Sequence, residues 1–279
     1  MTTQQEQAYF EHYAGSLYSG KGEMIDLGSW LGSTTISLAR GLAKNRHCHP
    51  KRKRIHAFDL FQWEEWMNDC VKGTSIQNKY SQGENFLEEF KTRIEPCAEL
   101  IEIHAGDLQG AEWRQEIELL LIDAMKSWTL ANVIVRKFFP HLIPNVSYVI
   151  HQDFAHYYTS WIHLIHYRLR NYFRPLYAVP NSCSFVFQYF SQLPAGLLNM
   201  EYGPDAFSEE DIEGAFEYSM NLVSDKAAQL RIASAKVMFF VHISDRSRAR
   251  FELDRYLLSG IPLEGELKIV NDLLETSEF

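Results

Sequence analysis

Five aspartates, Asp26, Asp59, Asp107, Asp123 and Asp153, each stand at or just beyond the end of a short apolar run. If those runs are parallel strands, their carboxyl ends share one edge of a sheet, which is where open α/β sheets bind ligands. Carboxylates gathered there repel one another unless something meets them. A ribose, an exocyclic amine, an α-amino group or a metal ion each supplies a partner, and one such contact contributes about 1.5–3 kcal/mol. Any one of these aspartates alone is equally a helix cap or a solvated loop residue. The set in register is what points to a binding edge.

The first of the runs carries the most information. Ile25 to Thr34 reads IDLGSWLGST, a strand end, a glycine turn and a helix start. Gly28 lets the backbone turn sharply, and Gly32 removes a side chain where a ligand comes close. Ser33 and Thr34 are placed to cap free amides at the helix start, whose positive end favours an anionic group. A dinucleotide site would read G-x-G-x-x-G. Here the spacing is G-x-x-x-G, and Asp26 just before the turn would repel a pyrophosphate. A carboxylate there suits a ligand with an amino group and hydroxyls. S-adenosylmethionine has both, and a sulfonium cation. Asp59 then suits the ribose hydroxyls and Asp107 the adenine amine. A plain strand-turn-helix packing junction is the competing reading.

These residues need a scaffold of alternating strands and helices. A helix over about 4–16, with Tyr9, Phe10 and Tyr13 on one face, leads to strand one at 23–27 and a helix at about 33–45. Ile55–Phe58 reads as strand two. Residues 60–82 are an aromatic connection with Phe61, Trp63, Trp66 and Tyr80, long enough to cover a pocket. A helix at about 83–94, a strand at 101–104 and the apolar run 118–122 follow; the last reads as a buried parallel strand. A helix at 127–140, a strand at 147–150 and a helix at 156–173 lead to β-like runs at 176–180 and 183–190. The expected fold is α/β and Rossmann-like: a mostly parallel sheet with an antiparallel final strand, helices on both faces and a helical C-terminal extension. Residues 1–200 form the binding domain. Residues 201–279 form the extension, which opens with a capping-box start at Ser208 and offers a surface for a homodimer.

Composition limits the possibilities. The 279 residues are 46% hydrophobic and 23% charged, enough for a full core. A net charge of −9 argues against a general nucleic-acid role. No apolar run reaches the length of a membrane span, and the N-terminus lacks a signal segment. A small-molecule partner and a cytoplasmic setting are expected. Cys48, Cys70, Cys97 and Cys183 are too scattered for a disulfide framework or a zinc site. The basic tetrad Lys51–Arg54 reads as a solvated loop, with a local anion site as the alternative. His47-Cys48-His49 before it resembles a metal tract short of one ligand.

The segments IDLGSWLGST, IHAFDLF, IHAGDL, LLLIDAMKSW and VIHQDF together resemble the class I S-adenosylmethionine-dependent methyltransferases. The likeness is to the small-molecule O-methyltransferase branch related to macrocin, catechol and caffeoyl-coenzyme A methyltransferases, over residues 8–190. It implies a cofactor pocket formed by Asp26, Gly28, Gly32, Ser33, Asp59, Asp107 and Asp123. Asp123-Ala124-Met125-Lys126 resembles the D-x-x-K of the cation-dependent members. Carried over, Asp123 is a ligand to Mg2+, completed by Gln152 and Asp153, and Lys126 is a general base. The family's second strand-five ligand is an acid or asparagine where this chain has Gln152, which weakens such a site. Without metal, deprotonation of the acceptor falls to Lys126, His151 or His156. His163 and His166 read as packing residues. The expected function is methyl transfer to a hydroxyl of a small molecule, of natural-product or sugar type. The alternative is a protein that keeps the fold and binds without catalysis. A nucleotide-sugar enzyme on the same sheet is disfavoured by Asp26.

Overall fold

The computed structural model describes residues 2–48 and 53–276. Helix α1 (Gln4–His12) leads into strand β1 (Glu23–Leu27), followed by α2 (Ser33–Lys44), β2 (Ile55–Asp59), the short α3 (Met67–Cys70) and α4 (Leu87–Ile94). Then come β3 (Ile101–Ala105), β4 (Ile117–Ile122), α5 (Trp128–Lys137), β5 (Tyr148–His151), α6 (Ser160–Leu169), β6 (Phe173–Ala178) and β7 (Phe185–Tyr189). The chain ends in the short α7 (Ala195–Leu198), α8 (Glu209–Leu222), α9 (Lys226–His242), α10 (Arg246–Leu258) and α11 (Gly265–Glu275).

Among the described residues the strands form one sheet in the order β3-β2-β1-β4-β5-β7-β6. The first five pair in parallel, and β7 runs antiparallel to both β5 and β6. Strand order reverses between β1 and β4, and the carboxyl ends at such a switch point are where open α/β sheets bind ligands. This is the mostly parallel sheet with an antiparallel ending that the sequence pattern calls for.

Side-chain alternation divides the core into two layers. Met24, Ala57, Leu119, Leu121 and Ile150 face α1, α2 and α4, where Phe10, Leu38 and Phe90 pack. Ile25, Leu27, Leu120, Ile122 and Val149 face α5 and α6. The second layer continues without a break into Phe216, Ile232, Phe239, Leu253 and Val270 of the C-terminal helices. Residues 201–276 therefore share a core with the sheet. Within β4 the one polar residue, Glu118, is buried and accepts amides from Ser19, Lys21 and Gly22 at 2.5, 2.7 and 3.2 Å. Three bonds to one carboxylate fix the entry into β1 and so the height of the glycine turn above the sheet.

Three helices start or stop away from their expected places, each for a local reason. Helix α4 begins at Leu87 because Trp63 and Phe86 bond across to Glu84 and Phe61 and hold 84–86 extended. Helix α5 stops at Lys137, and Pro140 sits in the following 3-10 turn. Helix α6 starts at Ser160 because Thr159 Oγ1 and His156 N both bond to the Asp153 carbonyl and turn the chain first. No helix among the described residues is long and apolar enough to cross a membrane. Of the basic tetrad, Lys51 and Arg52 lie outside the described residues, as does His49. Arg54 pairs with Glu23 at 2.9 Å and Lys53 with Glu102 at 3.1 Å.

Candidate functional site

The glycine turn forms as the spacing requires. Gly28 and Gly32 take φ of 93° and 84°, in the left-handed region that excludes most side chains. A Cβ on Gly28 would come within 3.0 Å of the Asp123 backbone, so the turn lies directly against the end of β4. A Cβ on Gly32 would press on Phe90 and Ile94 at 3.2 and 3.3 Å.

The hydroxyls after the turn are used differently from the sequence expectation. The N-cap of α2 is Gly32, and no side chain caps the helix. Thr34 and Thr35 donate instead to Asp26 Oδ2, at 2.7 and 2.6 Å. Ser33 accepts from Gln7 Nε2 of α1 at 3.1 Å. The backbone amides of the first turn of α2 are thus left without a side-chain cap, which suits an anionic group such as a carboxylate. Asp26 is fully buried, and burial pushes its carboxyl up to about 6 against the pull of Thr35 and Thr34. Its Oδ1 has no hydrogen-bond partner. An orphaned buried carboxylate oxygen beneath a glycine turn fits a ligand that brings a donor, an ammonium group above all.

Asp59 closes the end of β2. It accepts from Trp30 N at 2.8 Å and Phe61 N at 2.7 Å. Both donors belong to residues at positive φ, 43° and 52°. One carboxylate therefore staples two turns that L-residues adopt reluctantly. Burial raises the Asp59 pKa, and these amides oppose the rise. Each oxygen accepts one bond and keeps capacity for a second, as contact with a diol needs. Beyond β3, Asp107 is exposed and caps the 3-10 turn Leu108–Gly110, accepting from Gln109 N and Nε2 at 2.9 and 3.2 Å. In the aromatic connection Phe61 and Trp63 are core, whereas Trp66 is exposed and lies near Trp30, ring centroids 6.3 Å apart.

The second half of the rim is a charged cluster. Lys126 Nζ bonds to Asp123 Oδ1 at 2.7 Å and to Asp153 Oδ2. The Lys126 backbone is held on both sides. The Trp161 indole donates to the Met125 carbonyl at 2.7 Å, and Ser127 caps α5. Burial works against the Lys126 charge, but Asp123 and Asp153 outweigh it and hold the ammonium above its usual range. A lysine in that state is a cation and not a general base, which corrects the role carried over from the family. Burial raises the Asp123 carboxyl to about 7, with Lys126 pulling it down and Asp153 pushing it up.

The same geometry tests the Mg2+ expectation. Asp123 and Asp153, two of its three candidate ligands, both turn to Lys126. Gln152 is buried with Oε1 unpaired. Among the described residues no group of three His, Cys, Asp or Glu side chains is arranged to hold a metal. The residues present do not fit a divalent ion, because an ammonium stands between the carboxylates.

His151 does not reach the rim. It is buried, and its Nε2 lies 2.6 Å from His166 Nε2, behind Phe187. Burial lowers it to about 3, so it stays neutral, yet it touches nothing a substrate could approach. The alternation of β5 explains this: His151 continues the Val149 side, against α6, while Ile150 faces the other layer. His156, in the loop after β5, is only partly buried. Asp153, Lys126, Glu266 and Arg231 all act on it electrostatically, after burial as the main influence lowering it. Arg231 of α9 and Glu266 of α11 thus bring charge to the rim from the C-terminal helices. Nothing in the sequence pattern singled them out. Tyr158 and Trp161 pack on His242 of α9, centroids 4.6 and 5.5 Å apart, and seat that helix against the loop.

A separate cleft of about 770 Å3 is lined by Lys53, His56, Glu102, His104 and the 112–115 segment. None of the rim aspartates lines it.

No family model matches the sequence, and no curated protein does. Among solved structures the chain is similar to the O-methyltransferase NovP, with a TM-score of 0.51 at 12% identity over 67% of this chain and 80% of that one. It is equally similar to CalS11, a calicheamicin methyltransferase, with a TM-score of 0.51 at 11% identity over the same shares. At such identity the likeness concerns the fold. The chain has the Rossmann-like class I methyltransferase fold.

Proposed function

We propose that the protein is an S-adenosylmethionine-dependent O-methyltransferase acting on a small hydroxylated acceptor. One observation carries the reading: Gly28 packs directly against the end of β4 at Asp123, which sets the glycine turn beside the Asp123–Lys126–Asp153 cluster, and we read the two as one site. When bound, S-adenosylmethionine supplies a methyl group activated by its sulfonium.

The residues that would hold it are Asp26 and the first turn of α2 at the amino-acid end and Asp59 at the ribose. Trp30 and Trp66 flank the opening. At the other end of the site the chain must orient a hydroxyl and take its proton. The Lys126 ammonium stabilises negative charge developing on the acceptor oxygen. Asp123, with its carboxyl raised to about 7, takes the proton on Oδ2, the oxygen not engaged by Lys126. His156, Tyr157 and Tyr158 form the wall behind the acceptor, with Arg231 and Glu266 beyond it.

Titration calorimetry with S-adenosylmethionine and S-adenosylhomocysteine, followed by transfer of labelled methyl to a panel of phenols, sugars and hydroxy acids, tests the proposal. Binding of neither cofactor form sinks it. A second reading, a binding protein on the same fold, is favoured by the burial of His151 and the permanent charge on Lys126. Tight cofactor binding with no turnover on the whole panel would select it.

A further inference from the structure

We infer that Lys126 is a built-in cation that occupies a latent divalent-metal site, so that the centre binds no metal until the lysine side chain is removed. Ion binding is at issue here, and its outcome is independent of the catalytic reading.

The donor set is that of an oxygen-ligand site. Asp123 leaves the end of β4, and Gln152 and Asp153 leave the adjacent end of β5, with Ile122 and His151 in register just before them. Gln152, between them in sequence, is buried with Oε1 unpaired. Two carboxylates on neighbouring strand ends suit Mg2+ or Mn2+, which accept oxygen ligands at about 2.0–2.2 Å and complete their shells with water.

Lys126 stands in the position the ion would need. Its Nζ is 2.7 Å from Asp123 Oδ1 and also contacts Asp153 Oδ2, so it shares both carboxylates. A metal ligated by the same two oxygens would place a divalent charge against an ammonium at contact distance, where like charges repel by several kcal/mol even at an effective dielectric constant of about 20. The lysine is positioned, not incidental. Two residues separate it from Asp123. Its amide bonds to the Ala124 carbonyl at 2.9 Å, and the flanking Met125 carbonyl and Ser127 side chain are fixed by Trp161 and α5. A single ammonium leaves the carboxylate pair at net charge −1, whereas a divalent ion would bring it to zero. The chain therefore keeps a negative rim while holding a positive charge at the same spot.

The experiment is Mn2+ binding, read by electron paramagnetic resonance of the free ion and by calorimetry, on wild type, Lys126→Ala, Lys126→Ser and Lys126→Arg. Wild type and Lys126→Arg should show no stoichiometric site. Lys126→Ala should bind one Mn2+ with a dissociation constant on the order of 10⁻⁴–10⁻³ M, as expected of a site with few charged ligands. Adding Asp153→Asn should abolish that binding. Lys126→Ser keeps the test alive if the alanine variant does not fold. One tight Mn2+ on wild type that is lost with Asp123→Asn would overturn the inference, as would a folded Lys126→Ala or Lys126→Ser protein that binds none. Cofactor binding measured on the same samples reports on the catalytic reading independently.

Discussion

Replacing Asp59 tests the cofactor cradle most directly, because its carboxylate serves the fold through contacts separate from those the proposed function assigns to the ligand. Within the fold it accepts two backbone amides, Trp30 N at 2.8 Å and Phe61 N at 2.7 Å. Bonds to a charged acceptor contribute about 1.5–3 kcal/mol each. Removing both therefore has a ceiling near 6 kcal/mol. Burial of the carboxylate, which raises its pKa, is relieved at the same time. Trp30 and Phe61, at positive φ, also relax. The net expectation for Asp59→Ala is a loss of roughly 2–4 kcal/mol in unfolding free energy. Asp59→Asn keeps one acceptor oxygen and loses about half as much. Loss of the ribose contact adds a separate effect, a ten- to hundredfold weaker S-adenosylhomocysteine complex for the alanine variant. Urea unfolding followed by tryptophan fluorescence reads the first quantity, and calorimetry at a temperature where both variants are folded reads the second. If stability falls while affinity is unchanged, Asp59 is a turn staple and not a ribose ligand. If neither moves, the account of this strand end is wrong.

Further expectations concern other parts of the site. Gly32→Ala should destabilise the protein by about 1–3 kcal/mol, because the new Cβ meets Phe90 and Ile94 at 3.2–3.3 Å and sits at a φ of 84°; an unaltered melting temperature would contradict the left-handed turn at this position. Asp26 has a folded pKa raised to about 6. Its stabilising contribution is present below its unfolded pKa, near 4, and is lost as pH rises through 6. Asp26→Asn should thus stabilise the ligand-free protein at pH 7.5 by up to about 3 kcal/mol while weakening S-adenosylhomocysteine. Thermal scans at pH 4.5 and 7.5 that shift equally would argue against it. His166 is held neutral, well below its usual pKa, by burial and by His151 and His163. Its contribution is present above the unfolded value near 6.5 and is lost as pH falls. His166→Leu should flatten stability against pH between 6 and 4 by about 1.4 kcal/mol per unit. A slope equal to that of wild type would show that His166 is protonated in the fold.

The sheet was legible because period and composition are local. The run Glu118–Ile122 can hardly be other than a central strand, and an aspartate stands within two residues of the end of each of its parallel neighbours. The glycine turn was equally legible, since only residues without a side chain tolerate φ near 90° against Asp123. What could not be read was where each functional side chain spends its hydrogen bonds. Thr34 looks like a helix cap from its place after Gly32, yet its hydroxyl is drawn to Asp26. That carboxylate is buried eight residues earlier in sequence and within 2.7 Å in space. His151 ends a strand just as Asp59 does, but strand parity turns one toward α6 and leaves the other on the rim.

The cluster at Lys126 shows why a motif is a weaker guide than its neighbourhood. Asp-x-x-Lys places an acid and a base three residues apart, a spacing equally consistent with two independent roles or with one ion pair. The second strand end decides between them. Asp153 comes within bonding distance of the same ammonium, and a lysine shared by two carboxylates gains more from staying charged than burial costs it. A lysine held between two carboxylates is placed as a cation and not as a base. Under the proposed function the acceptor's proton would go to a carboxyl whose affinity for it is raised, and at this rim that is Asp123. Its pKa is raised first by burial, and the C-terminal helices extend the layer that buries this side of the sheet. Residues 201–276, which carry no motif, share the packed layer behind the sheet: shortening the chain before α9 would remove Arg231, which acts electrostatically on His156, and His242, on which Tyr158 and Trp161 pack.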